Sequence, residues 1–292
     1  MAQDSVKEIV VKRLLEAMEK GVCPWRKPWK DSGLKPCNIA GRKYSGLNWF
    51  ILSLMPYAKP IYLTFNQAKK MGGSVKKGEK GVPVIFWKML VKENAQGVRE
   101  TIPMLRYYTV FNISQVENIT LPKRFSAPVP EREFTPIESA EKIYEGMQNR
   151  PALAFGGDRA CYIPAMDECH MPEKTQFESE EHFYATLFHE LSHSTGHTSR
   201  LNRKEVMGGT FFGSHDYSLE ELVAEMSSAM ICAETGIEQP ILENSAAYLN
   251  SWYSQLSKDP GMLITAASKA QKAADYIIGK VEEEEVPADE VA

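Results

Sequence analysis

No run of about 18 apolar residues occurs in the 292-residue chain, so no membrane-spanning helix is expected. Residues Met1–Val11 (MAQDSVKEIVV) lack the basic-then-apolar layout of a secretory leader, so export is not expected either. Cysteine is sparse. The five cysteines (Cys23, Cys37, Cys161, Cys169, Cys232) are odd in number, scattered and without a CxxC pair. That pattern argues against a disulfide framework and against a thiolate zinc site, and fits a protein kept reduced in the cytoplasm. No repeat recurs at a period of 20–50 residues, which excludes solenoids and propellers. A 43% hydrophobic and 25% charged composition is that of an ordinary globular chain, long enough for two domains.

The net charge of −4 hides a strong asymmetry. Through Phe125 there are 22 Lys and Arg against 9 Asp and Glu; the remainder has 12 against 29, so the two parts carry +13 and −17. Two units with different partners are implied, the first of them facing a polyanion. The proline-rich stretch 126–136 reads as a linker between a domain at 1–125 and another at 137–281, and 282–292 as an acidic tail.

The expected architecture is α+β: a small N-terminal α+β domain that binds nucleic acid, then a mostly α domain. In the first, an amphipathic helix runs through Val6, Ile9, Val10, Leu14 and Met18, Thr64 caps a short helix ended by Gly72-Gly73, and GVPVIFWKMLVKE and RYYTVFNISQV are β-type runs. In the second, SAEKIYEGMQN is helical and PALAFG and ACYIPA are strand-like. Helical periodicity then covers roughly 179–195, 219–233, 244–257 and 265–281, with Ser218 and Glu221 at capping-box spacing.

The sharpest local pattern is HELSH at 189–193. His189 and His193, four residues apart on one helix, project from the same face and can share a metal ion, with Glu190 placed as general base toward the water the metal activates. A third ligand is expected from the next helix, in EELVAE. An ExxAE reading makes Glu221 the ligand, with Glu225 holding a ligating histidine by its other ring nitrogen; Glu225 is the main rival as ligand and Glu220 ranks behind. Against this stands the plainer reading that Glu221 only completes the cap on Ser218. A histidine at 199 would place the chain among three-histidine zinc proteases, but Ser199 stands there, and His197 is expected to hydrogen-bond near the site after Gly196 ends the helix. Tyr217 or His215 could donate to an oxyanion, and CYIPAMDECHMP reads as an edge strand and turn that could pair with substrate backbone. One divalent ion is expected, zinc, with manganese as the alternative.

In the N-terminal part, cations alternate with aromatics at Trp25, Arg26, Lys27, Trp29, Lys30, Arg42, Lys43, Tyr44 and Trp49, and Lys76, Lys77 and Lys80 crowd a glycine-rich turn. That mixture suits single-stranded DNA, whose phosphates take lysine and arginine and whose bases stack on rings; no recognition helix for duplex is evident. Phe86 and Trp87, inside a strand run, are assigned to the core.

The segments PWRKPW, GRKYSGLNWFIL, YLTFNQAKKMGGSVKKGEKGVPVIFW, YTVFNISQVE and FHELSHSTGHTSRLNR followed by EELVAE together resemble the ArdC-type antirestriction proteins of plasmids and other mobile elements, from about residue 5 to 280. The first domain is similar also to the N-terminus of TraC-type plasmid primases. The resemblance implies a single-stranded-DNA-binding domain joined to a zincin-like metallopeptidase domain of gluzincin type, serving to shield incoming DNA from host restriction. It implies a metal held by His189, His193 and the EELVAE carboxylate, with Glu190 as catalytic acid/base; proteolysis, and with it a protein substrate, is inferred from the HELSH motif itself.

Overall fold

The computed structural model describes residues 6–19, 35–53, 55, 57, 59–93, 99–125, 136–207, 214–237 and 245–280. The elements are α1 (Val6–Glu19), β1 (Cys37–Asn38), α2 (Gly46–Ser53), β2 (Ile61–Thr64), α3 (Phe65–Lys70), β3 (Ser74–Val75), β4 (Val82–Glu93), β5 (Arg99–Asn112), β6 (Val116–Glu117), α4 (Pro136–Gly146), β7 (Ala152–Phe155), β8 (Cys161–Ile163), β9 (Glu168–Met171), α5 (Glu180–Ser194), α6 (Lys204–Met207), α7 (His215–Thr235), α8 (Ser245–Lys258) and α9 (Gly261–Ile278). They form two compact units: among the described residues the first holds α1 as far as Leu14 and residues 35–125, the second the rest of α1 and residues 136–280. The chain is mixed α+β, strand-rich first and mostly helical after. No described helix is long and apolar enough to cross a membrane. The linker at 126–136, apart from Pro136, and the tail at 282–292 lie outside the described residues.

The first unit is built on a sheet of order β1-β2-β5-β4, parallel between β1 and β2 and antiparallel elsewhere. Alternation along β2 sends Tyr62 to one face and Ile61 and Leu63 to the other, and all three are buried, as a strand covered on both sides requires. Leu63 and Ile61 join Cys37, Ile39, Ala68 of α3 and Val116 of β6 in one cluster. On the opposite face Tyr62, Val82, Val84 and Val110 are buried together with the apolar side of α2, whose Leu52 carbonyl accepts from the Tyr62 hydroxyl at 2.9 Å. Asn48 of α2 grips the backbone of Ile85 through both amide atoms, at 2.7 and 2.8 Å, which pins the helix to the outer strand. The expected Thr64 cap is present, with Gln67 closing the box.

Phe86 and Trp87 part from expectation. Phe86 is half-buried against Tyr108, and Trp87 is 48% exposed. β2 pairs with β5 only at Val110–Asn112, whereas β4 and β5 stay paired as far as Glu93↔Arg99. Trp87 therefore sits on a two-stranded ribbon that has outrun its sheet, where no layer among the described residues buries it.

The second unit places a three-stranded sheet of order β7-β9-β8 beside a helical core of α5, α7 and α9. Leu187 and Leu191 of α5 and Leu222, Val223 and Met226 of α7 are buried. Ala266, Ala267, Ala270, Ala273 and Ala274 give α9 a small-residue face, so helix axes can approach closely. Two helix starts differ from the reading above. α7 begins at His215 under a Ser214 cap, whose hydroxyl accepts from the Tyr217 amide, one turn before Ser218; Asp216 in that turn favours the earlier start through the helix dipole. Ser218 is inside the helix, its carbonyl accepting from the Trp252 indole, so Glu221 closes no capping box. α9 begins at Gly261, directly after Pro260, whose fixed φ suits a helix start.

Candidate metal centre and basic surface

Ser179 starts α5 by accepting from the His182 amide, and Glu180 and Glu181 occupy the first turn, where carboxylates favour the dipole. Three turns on, His189 and His193 present their rings to the same side of the helix, centroids 4.8 Å apart. The last turn is rich in hydroxyls yet buried, because Ser192, Ser194 and Thr195 return their protons to the carbonyls of Phe188, Leu191 and Ser192. Gly196 follows because space demands it. A Cβ there would lie 2.3 Å from Val206 of α6, so only glycine lets α6 pack against the end of α5.

α7 crosses with Glu221 facing the two rings. His189 Nε2 and His193 Nε2 are 3.2 Å apart, and each is 3.7 Å from a Glu221 oxygen. Tetrahedral ligands about 2.0–2.1 Å from a common ion are separated by roughly 3.4 Å, so this triangle already has the edges such an ion needs. Among the described residues it is the one His/Cys/Asp/Glu group whose ligand atoms converge in this way. Two imidazole nitrogens and one carboxylate fit zinc or manganese and leave a coordination position open.

Glu220 and Glu225, neighbours on α7, stand behind the histidines. The Nδ1–H of His193 points at Glu220 Oε1, 3.2 Å away, which leaves Nε2 as the ligating atom. His189 Nδ1 faces Glu225 Oε1 at 3.8 Å, beyond hydrogen-bond reach, and is a buried nitrogen with no hydrogen bond. Thus Glu225 does sit behind a histidine, while Glu220, ranked last from sequence, makes the closer contact. Glu220 is itself held by Arg203, which reaches both its oxygens at 2.9 and 2.5 Å and also donates to Thr195 Oγ1 (2.5 Å) and the Ser192 carbonyl (2.8 Å). Arg203 was not visible to sequence reasoning. Its only signal is an arginine returning ten residues after a ligand helix histidine, close to carbonyls that the helix end leaves unpaired.

Burial alone would lower His189, but the Glu221 carboxylate facing its ring and the charges of Glu190 and Glu225 raise it to about 9. Burial acts to raise Glu221, and the facing His189 and His193 rings together with Tyr217 hold it at about 2. Without a metal, a proton on His189 neutralises the carboxylates, so metal entry at neutral pH must displace it.

Glu190 is buried beside His189, and its charge adds to burial in raising the thiols of Cys161 on β8 and Cys169 on β9. β8 is the edge strand of its sheet, as expected of CYIPAMDECHMP, and packs against α5. Tyr217 lies beside Glu221 and helps to keep its carboxylate ionised. His215 is exposed, with its nearest acidic partners Asp216 and Asp259. His197 hydrogen-bonds Ser199 at 2.8 Å and lies 4.0 Å from Asp167, apart from the ligand triangle. Arg200, its side chain fully buried, ties Asp167, Tyr162 and the carbonyls of Ser194 and Asn149 together, locking the turn after α5 to the β8–β9 hairpin.

In the first unit, Lys76, Lys77 and Lys80 are exposed on a turn closed by Glu79 N–H to the Lys76 carbonyl, with Gly78 at φ +88°. Arg42 and Lys43 are exposed as well. Tyr44 is not an open ring: it is half-buried, edge-on to Tyr62, with its hydroxyl bonded to Tyr108, because the Arg42–Tyr44 strand folds back onto β1. Trp25, Arg26, Lys27, Trp29 and Lys30 lie outside the described residues.

Residues 138–269 match the family model of a zincin-like metallopeptidase, and residues 4–111 that of the N-terminal domain of anti-restriction factor ArdC. The crystal structure of the antirestriction ArdC protein from plasmid R388, in its metal-free form, is 34% identical, with a TM-score of 0.75 over 94% of this chain and 97% of that one. The chain belongs to the ArdC antirestriction family. The Mn(II)-bound structure of that R388 protein matches with a TM-score of 0.74 at 33% identity, covering 94% of this chain and 97% of that one. The uncharacterized protein y4eC of Sinorhizobium fredii is 35% identical over 92% of this chain and 90% of its own. The DNA primase TraC of Escherichia coli is 34% identical over 93% of this chain but only 27% of its own length, so the ArdC-like chain spans about a quarter of that primase.

Proposed function

We propose that this ArdC-family chain is a cytoplasmic antirestriction protein that binds single-stranded DNA through its basic N-terminal unit and hydrolyses a protein substrate at a zinc centre in its C-terminal unit. The boundaries 1–125 and 137–281 divide these two tasks. The observation that carries the catalytic half is the triangle of His189, His193 and Glu221 with Glu190 intact beside it; a purely structural site has no use for a base there. The +13 charge of residues 1–125 and the exposed lysines of the Lys76–Lys80 turn support the DNA half.

His189, His193 and Glu221 would hold a divalent ion, whose Lewis acidity would lower the pKa of a water and polarise a carbonyl. Glu220 keeps the Nδ1 proton on His193, so that Nε2 stays free to ligate. Tyr217 and the histidines keep Glu221 ionised. Glu190 takes the proton of the attacking water on its carboxylate and returns it to the departing amine. The edge strand β8 aligns an extended substrate chain by strand addition.

The test is Glu190→Gln in the full chain, followed by metal content, oligonucleotide affinity, cleavage of an unfolded protein, and protection of a plasmid entering a restricting host. Metal and DNA binding are expected to persist while cleavage and protection fall at least 100-fold. Full protection by Glu190→Gln would reduce the second unit to a scaffold and leave DNA binding as the whole function.

A further inference from the structure

Beyond Thr109, the β4–β5 hairpin runs as a ribbon with no third strand on either side among the described residues. Its two faces differ. On one, Val82, Val84 and Val110 are buried, and Phe86 packs against Tyr108 with centroids 5.5 Å apart. On the other, strand alternation places Ile85 and Trp87 of β4 with Leu105 and Tyr107 of β5, in the register Ile85↔Tyr107 and Trp87↔Leu105. Trp87 and Tyr107 are thus diagonal cross-strand neighbours, about 7 Å apart by usual sheet geometry. They are 48% and 44% exposed, and among the described residues neither ring enters an aromatic pair or a hydrogen bond. The stability of the fold gives no reason to keep two such rings in water, since a buried aromatic is among the largest sources of apolar stabilisation. The exposed cations next to them in the chain, Lys88 and Arg106, lie by the same alternation on the opposite face, with Phe86 and Tyr108.

We propose that Trp87 and Tyr107 form a stacking platform on this ribbon for two nucleotides of single-stranded DNA. The proposal rests on the reading of the first unit as a single-strand binder and gives that reading a place. The occupant follows from chemistry. The part of the chain that carries the rings has a surplus of 13 positive charges, which selects a polyanion. Open ring faces select bases that are free to unstack, which duplex bases are not, and any base can use them.

The experiment uses the full chain and a fluorescein-labelled oligothymidine, read by anisotropy over a series of salt concentrations. Trp87→Ala and Tyr107→Ala should each weaken binding roughly 5- to 150-fold, the loss expected for one stacked base. The slope of log K against log salt should stay unchanged, because no phosphate contact is removed. Trp87→Phe, which keeps a ring, should restore most of the affinity. Wild-type affinity retained by the double alanine variant, with wild-type melting temperature, overturns the platform while the single-strand reading stands. No oligothymidine binding by wild type overturns that reading itself. A change in sedimentation mass on Trp87→Ala, with affinity unaltered, assigns the rings to contact with a second copy and also overturns the proposal.

Discussion

Around the two histidines of the C-terminal unit, charged groups are buried and mutually held: His193 by Glu220, Glu220 by Arg203, Glu221 by both rings and Tyr217. On the N-terminal unit the charged groups that matter, Lys76, Lys77, Lys80, Arg42 and Lys43, stand on the surface, and of these lysines Lys76 has a fixed bond, to the Ser114 carbonyl at 2.8 Å. The contrast follows from what each is proposed to hold. A small ion is gripped by few atoms to within tenths of an ångström, which requires side chains locked by a second layer of partners. A polyanion is gripped by many weak, interchangeable contacts whose sum is set by charge count. Substitutions should therefore act steeply and individually in one unit, and shallowly and additively in the other.

The steepest effect is expected at Glu220. Glu220→Ala leaves the Arg203 guanidinium buried without its carboxylate, which should cost about 3–5 kcal/mol of stability, measured by denaturant unfolding. Glu220→Gln keeps the shape but loses the charge behind His193, and should weaken metal binding about 10–100-fold by competition with a chelating indicator. Unaltered metal affinity in Glu220→Gln would mean that His193 needs no partner, and the contrast would weaken.

A milder, additive response is expected from the turn. Replacing Lys76, Lys77 and Lys80 together by alanine should make the salt slope of oligonucleotide binding shallower by about 2, at about 0.7 per neutralised phosphate, with little change in melting temperature. Loss of one lysine that abolished binding would show a specific pocket instead.

The smallest effect concerns Asp167. Burial acts to raise its carboxyl, but the Arg200 and Tyr162 hydrogen bonds and the Arg200 charge outweigh it and hold the carboxyl below its usual value. A depressed carboxylate contributes stability above its unfolded pKa of about 3.9 and loses it as pH falls through the lower folded value. The melting-temperature gap between wild type and Asp167→Asn should accordingly be full at pH 6 and close as pH drops below about 4. A gap that persisted at pH 2 would assign the effect to shape rather than charge.

How far the sequence disclosed these features follows the same division. The α5 ligands were legible because HELSH is local: its spacing fixes both rings on one face whatever surrounds them. Glu221 was legible only as one of three neighbouring glutamates, since a rotation of α7 by 100° exchanges their roles and nothing local sets that rotation. The packing of α7 on α5 turns Glu221 toward both rings, and α7 starts at a Ser214 cap four residues before the serine that sequence favoured. Arg203 was hidden because its partners, Ser192, Thr195 and Glu220, come together only when the chain turns back after Gly196. Trp87 was misassigned for a related reason. A strand composition shows that a residue lies in a sheet, but whether a layer covers it depends on where the neighbouring strand stops, here at Val110.

The central claim is that two histidines and Glu221, not Glu225, hold one metal ion in a locked frame. Metal content measured by mass spectrometry on the purified, reconstituted full chain tests it most directly, for wild type and for His193→Ala, Glu221→Ala and Glu225→Ala. One equivalent is predicted in wild type and in Glu225→Ala, and none in the other two. Metal retained by Glu221→Ala and lost from Glu225→Ala, or no stoichiometric metal in wild type, would contradict it.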